Sequence, residues 1–598
     1  MVIEGAGSPR RIPLARRALW IGWLRDSPSA LVLLAVATGA VTGLGAVGFR
    51  SLITVFTRLF TGYDDYAGLG RVPSAQWPAL GIWFLLLAPV IAGAVYGPVV
   101  HRFAPEARGH GVPEVMYAVS HRGGRIAPQV SVVKALASAL CIGGGGSVGR
   151  EGPIVQIGSA AGSTIAQILR LDTARVRLLV ACGAAAGISA TFNTPLAGPF
   201  FAMELILRDF AAESFGAVVL ASVTADVVGR AMLGNHPFLS LPSFAVRSPA
   251  EYLLYVVLGI AVGVVGVAFS KILYLVEDAC DWLWRGPEWA RPAVGGIFLG
   301  ALLLVLPQMY GVGYPVLENA VDGHYVVWML LILLVGKIFA TSLTIGIGGS
   351  GGVFAPTLFV GAMAGTAFGT VAHDVFPSIT ESPGAYGLIG MAAALGGATR
   401  APITAVVILF ELTGEYSIIL PLMAAVVMAT GTSRLMSKDT IYTAKLWRRG
   451  IDIEAAPPQL PDFRASQLLA PAPEPLTVRT SLAQAARALA GTSLGMLPVV
   501  SADGRYSGCV SAQDLAEALD EPDSPPTVGE LTRPVATISA DAGVREILDA
   551  LKGHGGTGLP VLDSGRTSVV GWVTYETVLA RLHPEPGVGS PQVAGSDE

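Results

Sequence analysis

Charged side chains are scarce in this chain. Asp, Glu, Lys and Arg make up only 14% of its 598 residues, whereas a soluble domain carries about 25%. Stretches without any of the four lie at residues 27–49, 72–100, 178–203, 252–270 and 416–433. Since a membrane-spanning helix needs roughly 20 predominantly apolar residues, these stretches predict a membrane domain of about ten or more crossings and half-crossings and argue against a large soluble core.

Cysteine and histidine are also sparse. The four cysteines, at positions 141, 182, 280 and 509, show no spacing typical of a disulfide framework or a metal site. None of the eight histidines belongs to the pair, four residues apart with an intervening glutamate, that an intramembrane zinc protease needs. His110 and Glu114 would need a third ligand to hold a metal, and the sequence supplies none. We therefore predict neither a metal site nor catalytic residues, and a membrane-embedded metalloprotease is only a remote alternative.

The positive charges that remain cluster at the two ends of the apolar region. Five arginines precede it, at positions 10, 11, 16, 17 and 25, and Lys438, Lys445, Arg448 and Arg449 follow its last stretch. Positively charged flanks stay in the cytoplasm. Both ends are therefore expected to be cytoplasmic, with an even number of crossings of the cell membrane. We expect the lipid bilayer as a partner and no nucleic acid.

Composition changes near residue 450 and divides the chain. We expect an all-α polytopic membrane domain with broken half-helices, followed by a cytoplasmic α+β pair of modules. In chain order the predicted parts are a cytoplasmic N-terminus (1–26), the membrane domain (27–449), a linker (450–463), two soluble modules (464–522 and 526–585) and a disordered tail (586–598).

A repeat inside the apolar region divides it into two halves, about 27–233 and 252–449. Gly143-Gly-Gly-Gly-Ser-Val-Gly-Arg-Glu-Gly-Pro153 is similar to Gly346-Ile-Gly-Gly-Ser-Gly-Gly-Val-Phe-Ala-Pro356, 203 residues later. A second block, which ends at Glu204, is repeated in the block that ends at Glu411. Two related halves are typical of transporters, whose substrate site lies between the halves where helices are broken. We therefore predict inverted repeats with the site at the two glycine-rich breaks.

Glycine-rich breaks at membrane depth leave helix N-termini exposed inside the protein. Their free N–H groups and the positive end of the helix dipole attract anions. Glu151 stands inside the first break, and ionisable residues at this depth are costly and typically functional. Its carboxylate competes with an anion for the same N–H groups, and protonation removes this competition. The sequence thus predicts a gate for a small anion that can also carry a proton.

Four motifs together resemble those of the CLC family of chloride channels and proton-coupled chloride exchangers. They are Gly109-His-Gly-Val-Pro113, Gly149-Arg-Glu-Gly-Pro153, Gly352-Val-Phe-Ala-Pro356 and Ser437-Lys-Asp-Thr-Ile-Tyr442. The resemblance implies an inverted-repeat homodimer with one path per subunit for chloride or a similar anion, in which Glu151 is the gating glutamate. The anion-binding residues that it implies are His110, Gly111, Val112, Gly149, Arg150, Gly152, Val353, Phe354 and Tyr442.

Two departures from the family pattern leave alternatives open. His110 replaces the chloride-binding serine, and its imidazole either donates an N–H to the anion or points away and leaves only backbone donors. Leu205 replaces the second of two adjacent glutamates, the internal proton-transfer residue, while Glu204 is kept. The chain is therefore expected to be either a proton-coupled chloride antiporter, which uses Glu204 or water on the inside, or a passive voltage- or pH-gated chloride channel.

The soluble region contains a repeat of its own. Leu497-Pro-Val-Val500 and Gly508-Cys-Val-Ser511 have counterparts in Leu559-Pro-Val-Leu562 and Gly571-Trp-Val-Thr574. The β-α-β-β-α pattern resembles a tandem pair of CBS domains, a regulatory module that often binds adenine nucleotides. The resemblance implies that Ser511 and Asp514 contact nucleotide phosphate and ribose. The second copy has Thr574 but lacks the acid, so at most one full ribose site is expected.

Overall fold

The computed structural model describes residues 27–234, 246–453, 463–520, 526–553, 557–563, 565 and 567–582. The predicted N-terminal segment, most of the predicted linker and the predicted disordered tail lie outside these ranges. The chain forms two compact units that divide between Ile453 and Glu454. The first unit is helical and the second contains strands and helices, so the predicted fold class is confirmed.

The first unit is a bundle of long and short helices. In chain order they are α1 (Pro28–Thr61), α2 (Phe84–Phe103), α3 (Val112–His121), α4 (Gln129–Gly143), α5 (Glu151–Ile168), α6 (Thr173–Phe192), α7 (Ala197–Phe201), α8 (Ala212–Leu233), α9 (Glu251–Leu283), α10 (Arg291–Val305), α11 (Tyr314–Val321), α12 (Val327–Gly346), α13 (Phe354–Val375), α14 (Pro383–Thr399), α15 (Pro402–Thr413), α16 (Ile419–Met436) and α17 (Thr443–Trp447). A π-helical turn, Ala202–Leu207, continues α7.

Helices long enough to span a membrane and shorter apolar helices both occur along this unit, as the uncharged stretches predicted. Eight of the described helices are long and apolar enough to cross a membrane: α1, α2, α6, α8, α9, α12, α13 and α16. The shorter apolar helices include α4, α10 and α15. The helices break where the sequence is rich in glycine, because Gly145 and Gly348 both adopt positive φ, 97° and 93°. These two glycines are 203 residues apart, so both halves break at the same point.

Very close helix crossings occur in both halves, and one pair of them is equivalent. In the first half α5 crosses α6 where a Cβ on Gly158 would lie 2.2 Å from the Gly183 carbonyl oxygen. In the second half α13 crosses α14, and a Cβ on Gly361 would lie 2.4 Å from the Gly390 carbonyl oxygen. Small residues allow this approach in membrane helices. The crossings bring the two broken helices, α5 and α13, into equivalent positions in their halves.

The second unit consists of two similar three-stranded sheets. In the first, β1 (Leu476–Thr477) pairs in parallel with β2 (Met496–Val500), which pairs antiparallel with β3 (Tyr506–Ser511). In the second, β4 (Ile538–Ser539), β5 (Gly558–Leu562) and β6 (Val569–Thr574) pair in the same way. The helices of this unit are α18 (Leu482–Ala490), α19 (Ala512–Asp520), α20 (Val544–Gly553) and α21 (Tyr575–Leu582).

The two sheets share a small apolar cluster. Trp572 on β6 is fully buried and packs with Cys509 on β3 and Met496 on β2. Backbone bonds link the Cys509 and Arg533 positions in both directions, at 3.0 Å each. The two repeats of the second unit therefore pack together as one folded body.

Candidate anion pathway

The two glycine-rich breaks of the membrane unit and the loop at Gly109 are joined by backbone hydrogen bonds. The Gly149 N–H donates to the Gly352 carbonyl at 2.7 Å, and the Gly352 N–H donates to the Gly149 carbonyl at 2.6 Å. Gly109 joins them, because its N–H donates to the Gly349 carbonyl at 3.0 Å and its carbonyl accepts from Gly351 at 3.3 Å. Irregular backbone at membrane depth needs such partners. Three of the four motifs thus meet at one junction between the two halves.

Two buried lysines fix the loops that lead into this junction. Lys134 Nζ donates to the Ala107 carbonyl at 2.8 Å and to the Gly109 carbonyl at 2.7 Å. Lys337, its counterpart in the second half, donates to the Gly311 carbonyl at 3.1 Å. Neither side chain is exposed. Both lysines therefore donate hydrogen bonds to backbone carbonyl groups of a loop, and the two loops are equivalent in the two halves.

This equivalence exposes a repeat that the sequence analysis missed. Gly109-His-Gly-Val-Pro113 has a counterpart in Gly311-Val-Gly-Tyr-Pro315, 202 residues later. In both, the second glycine caps a short helix with positive φ, 80° at Gly111 and 92° at Gly313. The shared Gly-x-Gly-x-Pro spacing was the signal available in the sequence. It aligns Tyr314 with Val112, and Tyr314 is a site residue that we did not predict.

Glu151 begins α5 and is only 1% exposed. Its Oε1 accepts a hydrogen bond from the Tyr314 hydroxyl at 2.6 Å, and its Oε2 accepts from the Ala355 N–H at 3.4 Å. Ala355 lies in the first turn of α13, where N–H groups have no partner within the helix. The carboxylate therefore occupies the positive N-terminal end of a helix from the other half.

The other predicted ligands surround this end of α13. Val353 caps the helix and Phe354 is its first residue, and both are buried. Tyr442 precedes α17 and is 1% exposed. Gly152 lies so close to the first motif that a Cβ there would be 2.1 Å from the His110 carbonyl oxygen. Of the anion-site residues predicted from the four motifs, all except Arg150 are buried in the membrane unit.

His110 is fully buried, and neither of its ring nitrogens has a hydrogen-bond partner among the described residues. Its ring stands edge-on to the Tyr274 ring, with centroids 6.2 Å apart. Leaving a buried donor or acceptor without a partner is costly, so an unpaired imidazole is a plain candidate for a ligand contact. The Val112 N–H, in contrast, donates to the His110 carbonyl at 3.0 Å and is already used within the loop.

Two cavities approach the junction from opposite faces of the membrane unit. One, of about 470 Å³, is lined by Arg150, Tyr314 and the C-terminal end of α8. The other, of about 340 Å³, is lined by Tyr274, Lys445 and the C-terminal part of α9. Because α8 and α9 are consecutive spans, their C-terminal ends lie on opposite sides of the membrane.

The Arg150 guanidinium lies over the Tyr314 ring, 5.3 Å from its centroid.

Glu204 and Glu411 each cap a helix of the opposite half. Glu204 accepts from the backbone N–H groups of Ile403 at 3.2 Å and Thr404 at 2.8 Å, at the start of α15. Glu411, at the end of α15, accepts from the N–H groups of residues 196 and 197 at 2.8 and 2.6 Å, at the start of α7. Leu205, beside Glu204, is an apolar residue with 7% of its surface exposed. The geometry gives Glu204 a capping role, and a proton-carrying role for it stays a prediction.

The predicted nucleotide residues lie where β3 and β6 end. Ser511 Oγ donates to Asp514 Oδ2 at 2.5 Å, and the other carboxylate oxygen pairs with the Arg533 guanidinium at 2.7 Å. At the equivalent place in the second sheet the Thr574 and Thr577 hydroxyls accept from each other's backbone N–H groups. The two repeats thus form the same turn, and only the first has an acid at its fourth position, where the second has Thr577.

Metal ligands are not grouped in the part of the chain that the structure describes, where no cluster of three or more His, Cys, Asp or Glu side chains fits a metal ion. The groups that the structure brings together around the junction are backbone N–H groups, hydroxyls, one imidazole and one carboxylate. These groups are suited to binding an anion and to moving a proton.

Comparison with known proteins agrees with this chemistry. The family described as voltage gated chloride channel matches residues 91–434, and the CBS domain matches residues 465–521 and 528–584. The chain is 32% identical over 434 residues to a Ralstonia nicotianae protein named ClcB-like, covering 71% of this chain and 99% of that protein. It is 31% identical over 454 residues to the H(+)/Cl(-) exchange transporter ClcA of Vibrio parahaemolyticus, covering 74% of this chain and 94% of that protein.

A solved structure shows the same relationship. The structure of a slow cyanobacterial Cl-/H+ antiporter has a TM-score of 0.62 and 25% sequence identity, and the match covers 70% of this chain and 97% of the antiporter. The motifs at residues 109–113, 149–153, 352–356 and 437–442 had indicated the same family. The chain is a multi-pass membrane protein that belongs to the CLC family of chloride channels and transporters, and it carries a C-terminal pair of CBS domains.

Proposed function

We propose that this protein exchanges chloride, or a similar small anion, for protons across the cell membrane, with Glu151 as both gate and proton acceptor. The observation that carries the proposal is the bond from the Ala355 N–H to Glu151 Oε2 at the N-terminus of α13. A carboxylate and an anion compete for such donors, and protonation of the carboxylate ends the competition. The exchange activity in the name of the Vibrio relative supports the same function.

The surroundings of the path favour a small anion. The 340 Å³ cavity is lined by five cationic and three carboxylate side chains, and a cationic excess raises the local concentration of anions. They are Arg108, Arg291, Lys445, Arg448 and Arg449, with Glu277, Asp281 and Glu288. Deeper in, His110, Val353, Phe354 and Tyr442 supply N–H and O–H donors. We propose that the unpaired His110 imidazole donates one N–H to the anion in place of the serine typical of the family.

A passive chloride channel is the second candidate. The observation that favours it is on the inner side of the path, where Leu205 is apolar and the Glu204 carboxylate is engaged by the start of α15. A carboxylate that is held by hydrogen bonds to the start of a helix is not free to turn between a proton donor and a proton acceptor. In the exchanger, protons would then reach Glu151 through water.

Anion and proton movement from reconstituted vesicles distinguish the two candidates. In the wild-type protein we expect chloride that flows down its gradient to drive protons across the membrane in the opposite direction. We expect Glu151→Ala to move chloride without protons and without dependence on pH. Glu318→Ala, which removes another carboxylate on the helix that Tyr314 begins, is the matched control and should retain coupling.

The outcomes separate gating from coupling. Unchanged chloride and proton movement in Glu151→Ala would disprove the gating role. If the wild-type reversal potential stays at the chloride equilibrium value in a proton gradient, the protein is the passive channel, and Glu151 remains its gate.

We propose that two chains form a homodimer, each with its own path, and that both ends of the chain lie in the cytoplasm. Repeat-related helices α8 and α16 support the dimer, because both present exposed apolar side chains at helical spacing. They are Leu220, Val223 and Val227 on α8, with Leu420, Met423 and Val427 on α16. Light scattering of the detergent-solubilised protein measures the number of chains per particle.

We propose that the CBS pair binds an adenine nucleotide through Ser511 and Asp514 and regulates transport. The acid is held in place by Ser511 and Arg533, so a ribose hydroxyl has a fixed carboxylate to bind. Thr574 at the equivalent turn offers a hydroxyl without a carboxylate, which supports a single site per chain.

A further inference from the structure

The hydroxyl of Tyr314 donates a short hydrogen bond to the Glu151 carboxylate. Its length, 2.6 Å, is typical of an O–H group that donates to a charged oxygen. Tyr314 begins α11 and Glu151 begins α5, so the bond joins the starts of two helices from different halves. The Ala355 N–H binds the opposite oxygen of the same carboxylate at 3.4 Å. The carboxylate is therefore held from two sides.

The Tyr314 side chain is itself held in place. The Arg150 guanidinium lies over its ring, and a side chain at the preceding residue, Gly313, would be tightly packed and conformationally strained. A Cβ on Gly313 would lie 3.2 Å from the Phe359 ring and 3.4 Å from Lys337 Nζ, and the φ of Gly313 is 92°. The start of α11 is thus fixed against its neighbours. The hydroxyl has a defined position from which to donate.

We propose that Tyr314 is a positioning residue that holds the Glu151 carboxylate in the path and thereby sets the pH at which the gate opens. This inference rests on the proposed gating function of Glu151. A hydroxyl that donates to a carboxylate stabilises its charged form more than its protonated form, so it opposes opening by protons. The other charged or titratable groups that act on Glu151 are Arg150, Lys337 and Tyr442. These groups are the same in the variants below.

The test is chloride flux from vesicles as a function of pH, for wild type and Tyr314→Phe. The variant keeps the ring under Arg150 and loses only the hydroxyl. We expect its pH of half-maximal flux to rise by about one unit, because the lost bond to a charged group had favoured the closed, ionised gate. Tyr310→Phe is the matched control: Tyr310 also donates at 2.6 Å, but to the Gly143 carbonyl, and its loss should leave the curve unshifted.

Glu151→Gln separates this inference from the proposed function on which it rests. If Glu151→Gln keeps the wild-type pH dependence, Glu151 is not the gate and both ideas fail. If Glu151→Gln loses the pH dependence while the Tyr314→Phe curve overlies that of wild type, the gate stands and the role of Tyr314 is refuted. Equal shifts in Tyr314→Phe and Tyr310→Phe also refute it, because they indicate a general disturbance.

A second substitution guards against a folding defect. Tyr314→Trp keeps an aromatic ring and an N–H donor without adding a titratable group, and we expect its curve to return toward that of wild type. A curve that stays with Tyr314→Phe counts against the hydrogen bond as the cause. In the Glu151→Gln background, Tyr314→Phe should cause no further shift, whereas an additional shift would mean that the hydroxyl acts elsewhere.

Discussion

The Glu151 carboxylate is closely surrounded as well as hydrogen-bonded. A Cβ built on Gly149 would lie 2.1 Å from Glu151 Oε2 and 3.2 Å from the Ala355 Cβ. The carboxylate oxygen is the far end of a flexible side chain, whereas the Gly149 backbone is fixed by its two bonds with Gly352. A methyl group at position 149 would therefore displace the carboxylate rather than the backbone.

Gly149→Ala is expected to loosen the gate without unfolding the protein. Chloride flux at neutral pH should rise by up to about tenfold. This corresponds to a loss of ~1.4 kcal/mol in the free energy that keeps the carboxylate in its closed position. Flux from vesicles at fixed pH measures it. Gly48→Ala is the control, because a Cβ on Gly48 in α1 meets nothing within 4 Å. Wild-type flux in Gly149→Ala would contradict the steric argument.

At this scale the sequence predicted one partner of the gate and missed the other. Glu151 was recognisable because a single acid stands out in an apolar, glycine-rich break. Tyr314 lies 163 residues away and is one of many aromatic residues in a membrane protein. Its contact with Glu151 depends on how two short helices from different halves approach each other, and sequence spacing alone does not determine this approach.

At the scale of helices, each half supplies a glutamate that caps a helix of the other half. Glu204 caps α15 and Glu411 caps α7, with backbone bonds of 2.8 Å and 2.6 Å respectively. A carboxylate at a helix N-terminus satisfies free N–H groups and interacts favourably with the helix dipole. The sequence predicted the equivalence of the two glutamates from the repeat. It did not predict the reciprocal caps, because each one joins a glutamate to the other half.

Glu204→Ala and Glu411→Ala should therefore have similar effects on stability. We expect each to lower the free energy of unfolding by about 1–2 kcal/mol, measured as a lower thermal midpoint in detergent. Glu204→Gln keeps an acceptor oxygen, so it should be milder and should leave proton movement intact. Loss of proton movement in Glu204→Gln with chloride flux retained would instead make Glu204 a proton carrier.

At the scale of the whole molecule, the sequence predicted the fold class, a charge-poor helical membrane domain followed by a module of strands and helices. The charge-poor region ends near residue 450, and the compact units divide at Ile453. This success has a physical cause, since lipid and water select different compositions over hundreds of residues. The sites within each unit depend on contacts of a few ångströms, and for these the sequence supplied only the motifs.

Nucleotide binding is a prediction to be tested on the full-length chain. Calorimetry with ATP, ADP and AMP should show one site per chain, and Asp514→Ala should weaken binding at least about tenfold through loss of a bond to a charged group. Ser501→Ala is the matched control, because Ser501 also donates to a nearby aspartate, Asp503, at 2.5 Å. Absence of heat with every nucleotide would contradict the predicted site.

The bond between the Ala355 N–H and Glu151 has a consequence for how the protein is made. The two residues are 204 positions apart, and a ribosome adds about 5–20 residues per second, so Glu151 is synthesised roughly 10–40 s before its partner. During that interval the first break has an ionisable side chain and free backbone groups but lacks the second half that completes them. The nascent first half must therefore wait in a sheltered, hydrated place at the insertion machinery before it is released into lipid.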